Sequence, residues 1–179
     1  MDPIKDRKRL FQQVGVQFQQ SHYPDRITVR ELCQVTEVLY QQTSDYHSLL
    51  DIFGLKQLAK AQVTDLSGGE KQRLSVLIAL IPQPKLVFFD EITTGLDPKG
   101  RRDVWQLLEN LKQNGLTILL TSHFMDEVEA LCDKIGILHQ GKTITMGTIS
   151  QVIAGSPLDS LEEAYLWYTK KEESVYETA

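Results

Sequence analysis

The sequence predicts an α/β fold, and three observations carry that prediction. Apolar runs of strand length alternate with stretches of helical periodicity along the chain. One run, Leu86-Val87-Phe88-Phe89, is apolar throughout and ends in Asp90-Glu91, the pattern of a strand buried on both faces whose C-terminal end opens onto a site. A second, Leu116 to Thr121, ends in Ser122-His123 in the same way.

In chain order, Val14 to Phe18 forms a short strand that runs into polar Gln19, Gln20, Ser21 and His22, and Tyr23-Pro24-Asp25 makes a turn. Thr28 and Glu31 form a capping box for a helix whose stripe is Val29, Leu32, Val35 or Thr36, and Leu39, ending at Thr43-Ser44-Asp45. Tyr46, Leu49, Leu50 and Phe53 set a second, shorter helix, which Gly54 stops. Ser67 and Glu70 cap a third helix, running to Pro82. After the strand at 86–89, Asp97-Pro98 supplies an N-cap and a first-turn proline for a helix striped by Val104, Leu107, Leu108 and Leu111 and closed by Gly115. The 116–121 strand leads to an acidic helix, with Asp126, Glu127 and Glu129 outward and Val128 and Leu131 inward. Lys134 to Leu138 is the next strand, and Gln140-Gly141 turns it into Lys142 to Met146. From Thr148 the chain is a polar tail with one helix, capped by Ser160 and Glu163 and carrying Leu161, Ala164, Tyr165 and Tyr168.

The chain has 179 residues, enough for a real core, and its formal charge of −5 with no run of five like charges argues against nucleic acid as a partner. Its longest apolar stretches, Leu74 to Pro82 and Leu116 to Leu120, are far short of the roughly 18 residues a membrane span needs. No leader opens the chain, so it is expected to be neither secreted nor inserted. Cys33 and Cys132 lie far apart with no CxxC spacing, which points to a reducing compartment, the cytoplasm.

Leu66-Ser67-Gly68-Gly69-Glu70 is the most distinctive stretch. A capping box accounts for Ser67 and Glu70 but gives no reason for two adjacent glycines. Glycines at a helix start, followed by Lys71 and Arg73, expose amide N–H groups and the positive end of the helix dipole to an approaching phosphate. Adjacent Asp90 and Glu91 either cap a loop or serve a divalent ion and a water molecule together. Gly136 to Thr143 fits G-x-x-x-x-G-K-[ST] letter for letter, but its Ile137 and Leu138 lie inside a strand and Lys142 begins another. A phosphate loop needs strand, turn and helix, so the match is set aside as coincidence.

Taken in order, these motifs resemble those of the ABC-transporter ATPase family. Ser67, Gly68 and Gly69 match the family's LSGGQ signature, with Glu70 in the last place. The resemblance implies that Asp90 holds magnesium and Glu91 polarises the attacking water. It implies that His123 meets the γ-phosphate, and that Gln19 senses magnesium and nucleotide beside the surface that docks a membrane subunit. Thr93 to Asp97 is similar to the D-loop, Asp97 shaping the interface around the nucleotide, with Ile92 where the family commonly has proline. The likeness runs from Asp2 to Gly147 and lacks the family's glycine-rich Walker A loop ahead of Gln19.

The implied architecture is a partial P-loop NTPase-type parallel sheet with an inserted helical subdomain. Residues 1–19 and 80–147 would form the RecA-like core portion, 20–79 the helical signature subdomain, and 148–179 a C-terminal tail with a short helix. Without the Walker A strand, the strands at 116–121 and 134–138 are expected either to pair or to leave an open edge. The implied cofactors are ATP and Mg2+. The implied partners are a membrane-spanning permease and a second ATPase subunit, in a homodimer or heterodimer at the inner face of the cell membrane. The tail around Ser160 is similar to that of exporter-type subunits. Three functional readings follow: a truncated ATP-hydrolysing transporter subunit inactive alone, a half-domain that donates its signature in trans to a partner ATPase, or, against the hairpin reading above, an enzyme that uses Gly136 to Thr143 as a relocated P-loop.

Overall fold

The computed structural model describes residues 2–19 and 22–176, with side chains described as far as Lys170. The expected polar loop residues Gln20 and Ser21 lie outside these. The chain divides into two compact units, residues 1–121 and 122–179.

In the first unit α1 (Arg7–Phe11) leads into β1 (Val14–Gln17), and α2 (Val29–Val38), α3 (Tyr46–Ile52) and α4 (Gly68–Leu80) precede β2 (Leu86–Asp90). Helix α5 (Pro98–Gln113) then connects to β3 (Thr117–Thr121). The three strands are parallel, in the order β1-β2-β3, with Val14 opposite Leu86 and Leu86 opposite Thr117. Three aligned carboxyl ends therefore finish together at Gln17, Asp90 and Thr121.

Helix α4 organises this unit because it is apolar on several sides, burying Leu74, Val76, Leu77, Ala79 and Leu80. Its last turn reaches β1 only because residue 15 is glycine: a Cβ there would sit 2.2 Å from the Ala79 carbonyl oxygen. Thr28 and Glu31 cap α2 as a complete capping box, and the buried stripe is Val29, Leu32, Cys33 and Thr36. Thr36, not Val35, completes the i, i+3, i+4, i+7 stripe, and its buried hydroxyl is satisfied by donating to the Leu32 carbonyl, 2.8 Å away. Leu39, expected on the inner stripe, is exposed, since the helix has already ended there. Asp97 caps α5 through the Gly100 amide, as expected, and Gly115 at φ +90° closes it.

Strand β2 departs from expectation. Val87 and Phe89 are fully buried on the α4 side, but the row formed by Val16, Phe88 and Leu119 on the other face is 37–50% exposed. The strand is buried on one face, not two. Nor do the strands at 116–121 and 134–138 pair. β3 pairs with β2, whereas β4 (Ile135–His139) pairs antiparallel with β5 (Lys142–Gly147). Gln140 and Gly141, at φ +48° and +77°, make the two-residue reversal that favours this local partner.

The second unit holds α6 (Met125–Leu131), the β4–β5 hairpin, α7 (Ile149–Ala154) and α8 (Leu161–Tyr176). Ile137, Val152 and Leu161 centre its core, with Val128, Ile144 and Tyr168 against them. The tail therefore has two helices where one was expected: Thr148 and Gln151 complete a capping box that starts α7. Glu127 of the acidic helix is buried, while Asp126 and Glu129 stay exposed. Among the described residues no helix is long and apolar enough to cross a membrane.

Candidate functional site

The carboxyl ends of the three parallel strands converge on the acidic pair. Asp90 closes β2, and Glu91 follows at φ +47°, a left-handed conformation uncommon for a residue with a side chain. The Glu91 amide donates to the Thr121 carbonyl at 3.1 Å and to the Thr121 hydroxyl at 3.3 Å. That hydroxyl donates in turn to Asp90 Oδ1 at 2.5 Å. On the β1 side, Gln17 is only 3% exposed; its Oε1 accepts from the Asp90 amide at 3.2 Å and its Nε2 donates to the Phe18 carbonyl at 2.6 Å. The Gln19 side-chain amide donates to the Glu91 carboxylate, and the Thr94 hydroxyl reaches the same oxygen at 3.4 Å.

Three of the residues singled out from the sequence, Gln19, Asp90 and Glu91, thus stand together. Two carboxylates and an amide form an oxygen-rich edge suited to a hard cation such as Mg2+, which takes one or two protein carboxylates and keeps several waters. Among the described residues there is no group of three or more His, Cys, Asp or Glu that would form a closed metal cage.

The signature turn is built differently. Ser67 caps α4 in a full box: its hydroxyl donates to Glu70 at 2.7 Å, and both its hydroxyl and its amide engage that residue. The Ser67 hydroxyl and backbone N–H hold the Glu70 carboxyl below its ordinary value of 4.5. Gly68 faces open space, with nothing within 4 Å of the place a methyl group would take, and at Gly69 such a group would meet only Arg73 and Leu96 at 3.9 Å. No neighbour in the fold requires glycine at either place, so the room above the helix N-terminus is available to something outside it. Leu96 belongs to the turn between Glu91 and α5, where Ile92 and Thr93 are fully buried and Gly95 has φ +79°. Asp97 commits its carboxylate to the α5 cap.

His123 lies in the second unit, its ring 4.1 Å from that of Phe124. The Gly136 to Thr143 stretch is the β4–β5 hairpin, with Leu138 opposite Thr143 and His139 opposite Lys142, so it offers no helix N-terminus to a phosphate. The cation side of an Mg-ATP site fits the residues present; among the described residues, Gly136 to Thr143 forms no phosphate cradle. Cys33 is inert: burial, with the nearby Glu37 charge, pushes its thiol up to about 12.

Sequence reasoning did not single out Gln17 or Thr121. The available signals were a polar residue at a buried strand position and a hydroxyl directly before Ser122-His123.

The sequence profile of the ABC transporter family matches residues 1–94. The chain is 38% identical over 165 residues to Nod factor export ATP-binding protein I of Neorhizobium galegae, covering 87% of this chain and 48% of that protein. It is 40% identical over 151 residues to the protein of that name from Rhizobium meliloti, covering 81% of this chain and 45% of that one. Linearmycin resistance ATP-binding protein LnrL of Bacillus subtilis (strain 168) is 42% identical over 100 residues, 56% of this chain and 32% of that protein. The chain thus spans about half the length of the Nod factor export proteins it matches. In fold it is similar to an ATP-binding subunit of an ABC transporter, with a TM-score of 0.82 at 24% identity over 93% of this chain and 72% of that one.

Proposed function

The chain belongs to the ABC transporter family, and from that premise we propose that it is an ATP-binding subunit that takes part in coupling ATP hydrolysis to export across a membrane. The observation that carries this reading is the contact of Gln19 with Glu91 at the end of β2, beside Asp90. Asp90, with Gln19, would hold Mg2+, which neutralises phosphate charge when bound. Glu91 would orient and deprotonate the attacking water, and His123 would meet the γ-phosphate. Ser67, Gly68 and Gly69 would receive a nucleotide at the α4 N-terminus, with Asp97 shaping the neighbouring turn. Residues 1–19 and 80–147 serve as the core portion in this reading, 20–79 as the helical signature subdomain and 148–179 as a tail.

The partners proposed are a membrane-spanning permease, which selects the cargo, and a second ATPase subunit, at the inner face of the membrane. Export is favoured because the similar Nod factor proteins are named for it. The isolated chain would not hydrolyse ATP, because most phosphate affinity in such sites comes from a glycine-rich cradle and its lysine, and positioning is nearly all of the catalysis.

A second reading is favoured by the open space over Gly68: the signature closes over a nucleotide held by a partner ATPase, and the acidic pair is idle. ATPase assays of the assembled transporter decide. In the first reading Glu91→Gln and Ser67→Arg each abolish hydrolysis. In the second, Ser67→Arg abolishes it because an arginine cannot fit between helix and phosphate, while Glu91→Gln leaves it intact. Full activity with both substitutions would refute the two readings together.

A further inference from the structure

Asp90 is held from both sides by the strands that flank it. The end of the β1–β2 ladder is bridged by a side chain: Gln17 accepts from the Asp90 amide and donates to the Phe18 carbonyl, so one amide fixes β2 and the chain leading to Gln19 together. A buried amide is costly unless it is bonded, and a β-branched residue would suit this strand position better, so the bridge is what the glutamine contributes. On the other side a single hydroxyl meets both acids. Thr121 donates to Asp90 Oδ1 and accepts from the Glu91 amide, which its own carbonyl also receives. Glu91 sits at φ +47°, a conformation that persists only where its surroundings over-determine it, and the Thr121 bonds are the local means of doing so.

We infer that Thr121 and Gln17 are positioning residues for the acidic pair: Thr121 sets the Asp90 carboxylate and the Glu91 backbone for a divalent cation and a water, and Gln17 locks the Gln19 approach to them. This deepens the reading of Asp90 and Glu91 as an ion- and water-handling pair and rests on it. Neither residue touches the reactants. Each acts through an acid, in the way that groups behind a metal ligand orient it.

The test is amide hydrogen exchange on the full chain, followed by Mg2+ titration of ATPase activity in the assembled transporter. Thr121→Val replaces the hydroxyl with a methyl of similar shape and should speed exchange at Glu91 by about five- to tenfold; Gln17→Leu should do so at Asp90. Thr121→Ser should restore the native rate, and slowly exchanging amides of α4 should not move in any variant. In the transporter, Thr121→Val should raise the half-saturating Mg2+ about tenfold, with the nucleotide KM unchanged and serine again rescuing. Unchanged exchange at both amides, a uniform rise across α4, or a serine variant that behaves like valine would overturn the inference. Full ATPase activity in Glu91→Gln would instead remove the catalytic reading, and the site-by-site exchange pattern would still decide whether Thr121 and Gln17 hold the pair.

Discussion

Two glycine-bearing segments of this chain invite the same reading and have opposite structures. Ser67-Gly68-Gly69 begins α4; a Cβ at Gly68 would meet nothing within 4 Å, and one at Gly69 would meet Arg73 and Leu96 only at ordinary contact distance. Gly136 to Thr143 carries a phosphate-loop pattern complete to the last letter, yet folds as an antiparallel hairpin in which Gly141, at φ +77°, serves the reversal. A phosphate is drawn to aligned amides and a helix dipole, so the element that follows the glycines decides, and the letters alone do not. In the hairpin, glycine answers a demand of the backbone. At the helix start the fold makes no such demand.

The comparison breaks most easily on activity. Gly69→Val should lower ATP hydrolysis by the assembled transporter about a hundredfold, the scale of losing a preorganised phosphate contact. Its Tm should stay within about 3 °C, because a Cβ there meets nothing closer than Arg73 and Leu96 at 3.9 Å and valine has a higher helix propensity than glycine. Lys142→Ala should leave hydrolysis within about twofold, because a hairpin lysine has no phosphate to meet. Micromolar Mg-ATP binding by the isolated chain that disappears with Lys142→Ala, measured by calorimetry, would reverse the assignment of the two segments.

Stability should show the opposite ranking. Gly141→Val forces a β-branched residue into a left-handed conformation and should cost about 1–3 kcal/mol, read as local loss of exchange protection in β4 and β5. Gly68→Ala should cost nothing and can add a few tenths of a kcal/mol, since alanine loses less entropy in a helix and a Cβ there meets open space. Equal costs at the two sites would mean that both glycines are structural.

The same contrast shows which parts of the molecule were legible in the sequence. Caps and reversals were, because each is a local arrangement among a few residues: Thr28 with Glu31, Ser67 with Glu70, Asp97 with Pro98, Gln140 with Gly141. Helix α7 was equally local, its Thr148–Gln151 box hidden only by the polar look of the tail. What depends on neighbours distant in sequence was not legible. An apolar strand gives no sign that Phe88 stays 37% exposed. The acidic pair was legible as chemistry, but Gln17 and Thr121 meet it only through the parallel register of three strands.

The smallest expected effect concerns pH at the signature cap. Glu70 is bonded to the Ser67 hydroxyl and amide, and these hold its carboxyl below the ordinary 4.5. A carboxyl whose folded value is depressed favours folding while it is ionised. The contribution is complete above pH 4.5 and disappears as the pH falls through the lower, folded value. Ser67→Ala removes the hydroxyl and should cost about 1 kcal/mol near neutral pH, the usual loss at a helix N-cap. Part of that loss comes through Glu70, so the gap between wild type and Ser67→Ala, followed by thermal melts from pH 7 downward, should hold constant to about pH 5 and then narrow. The hairpin variant Gly141→Val should show a gap that does not change over that range, because its cost is backbone strain and no carboxyl is involved. A Ser67→Ala gap that stays constant to about pH 3 would mean that the serine acts on the α4 amides alone, and that Glu70 adds nothing to the cap.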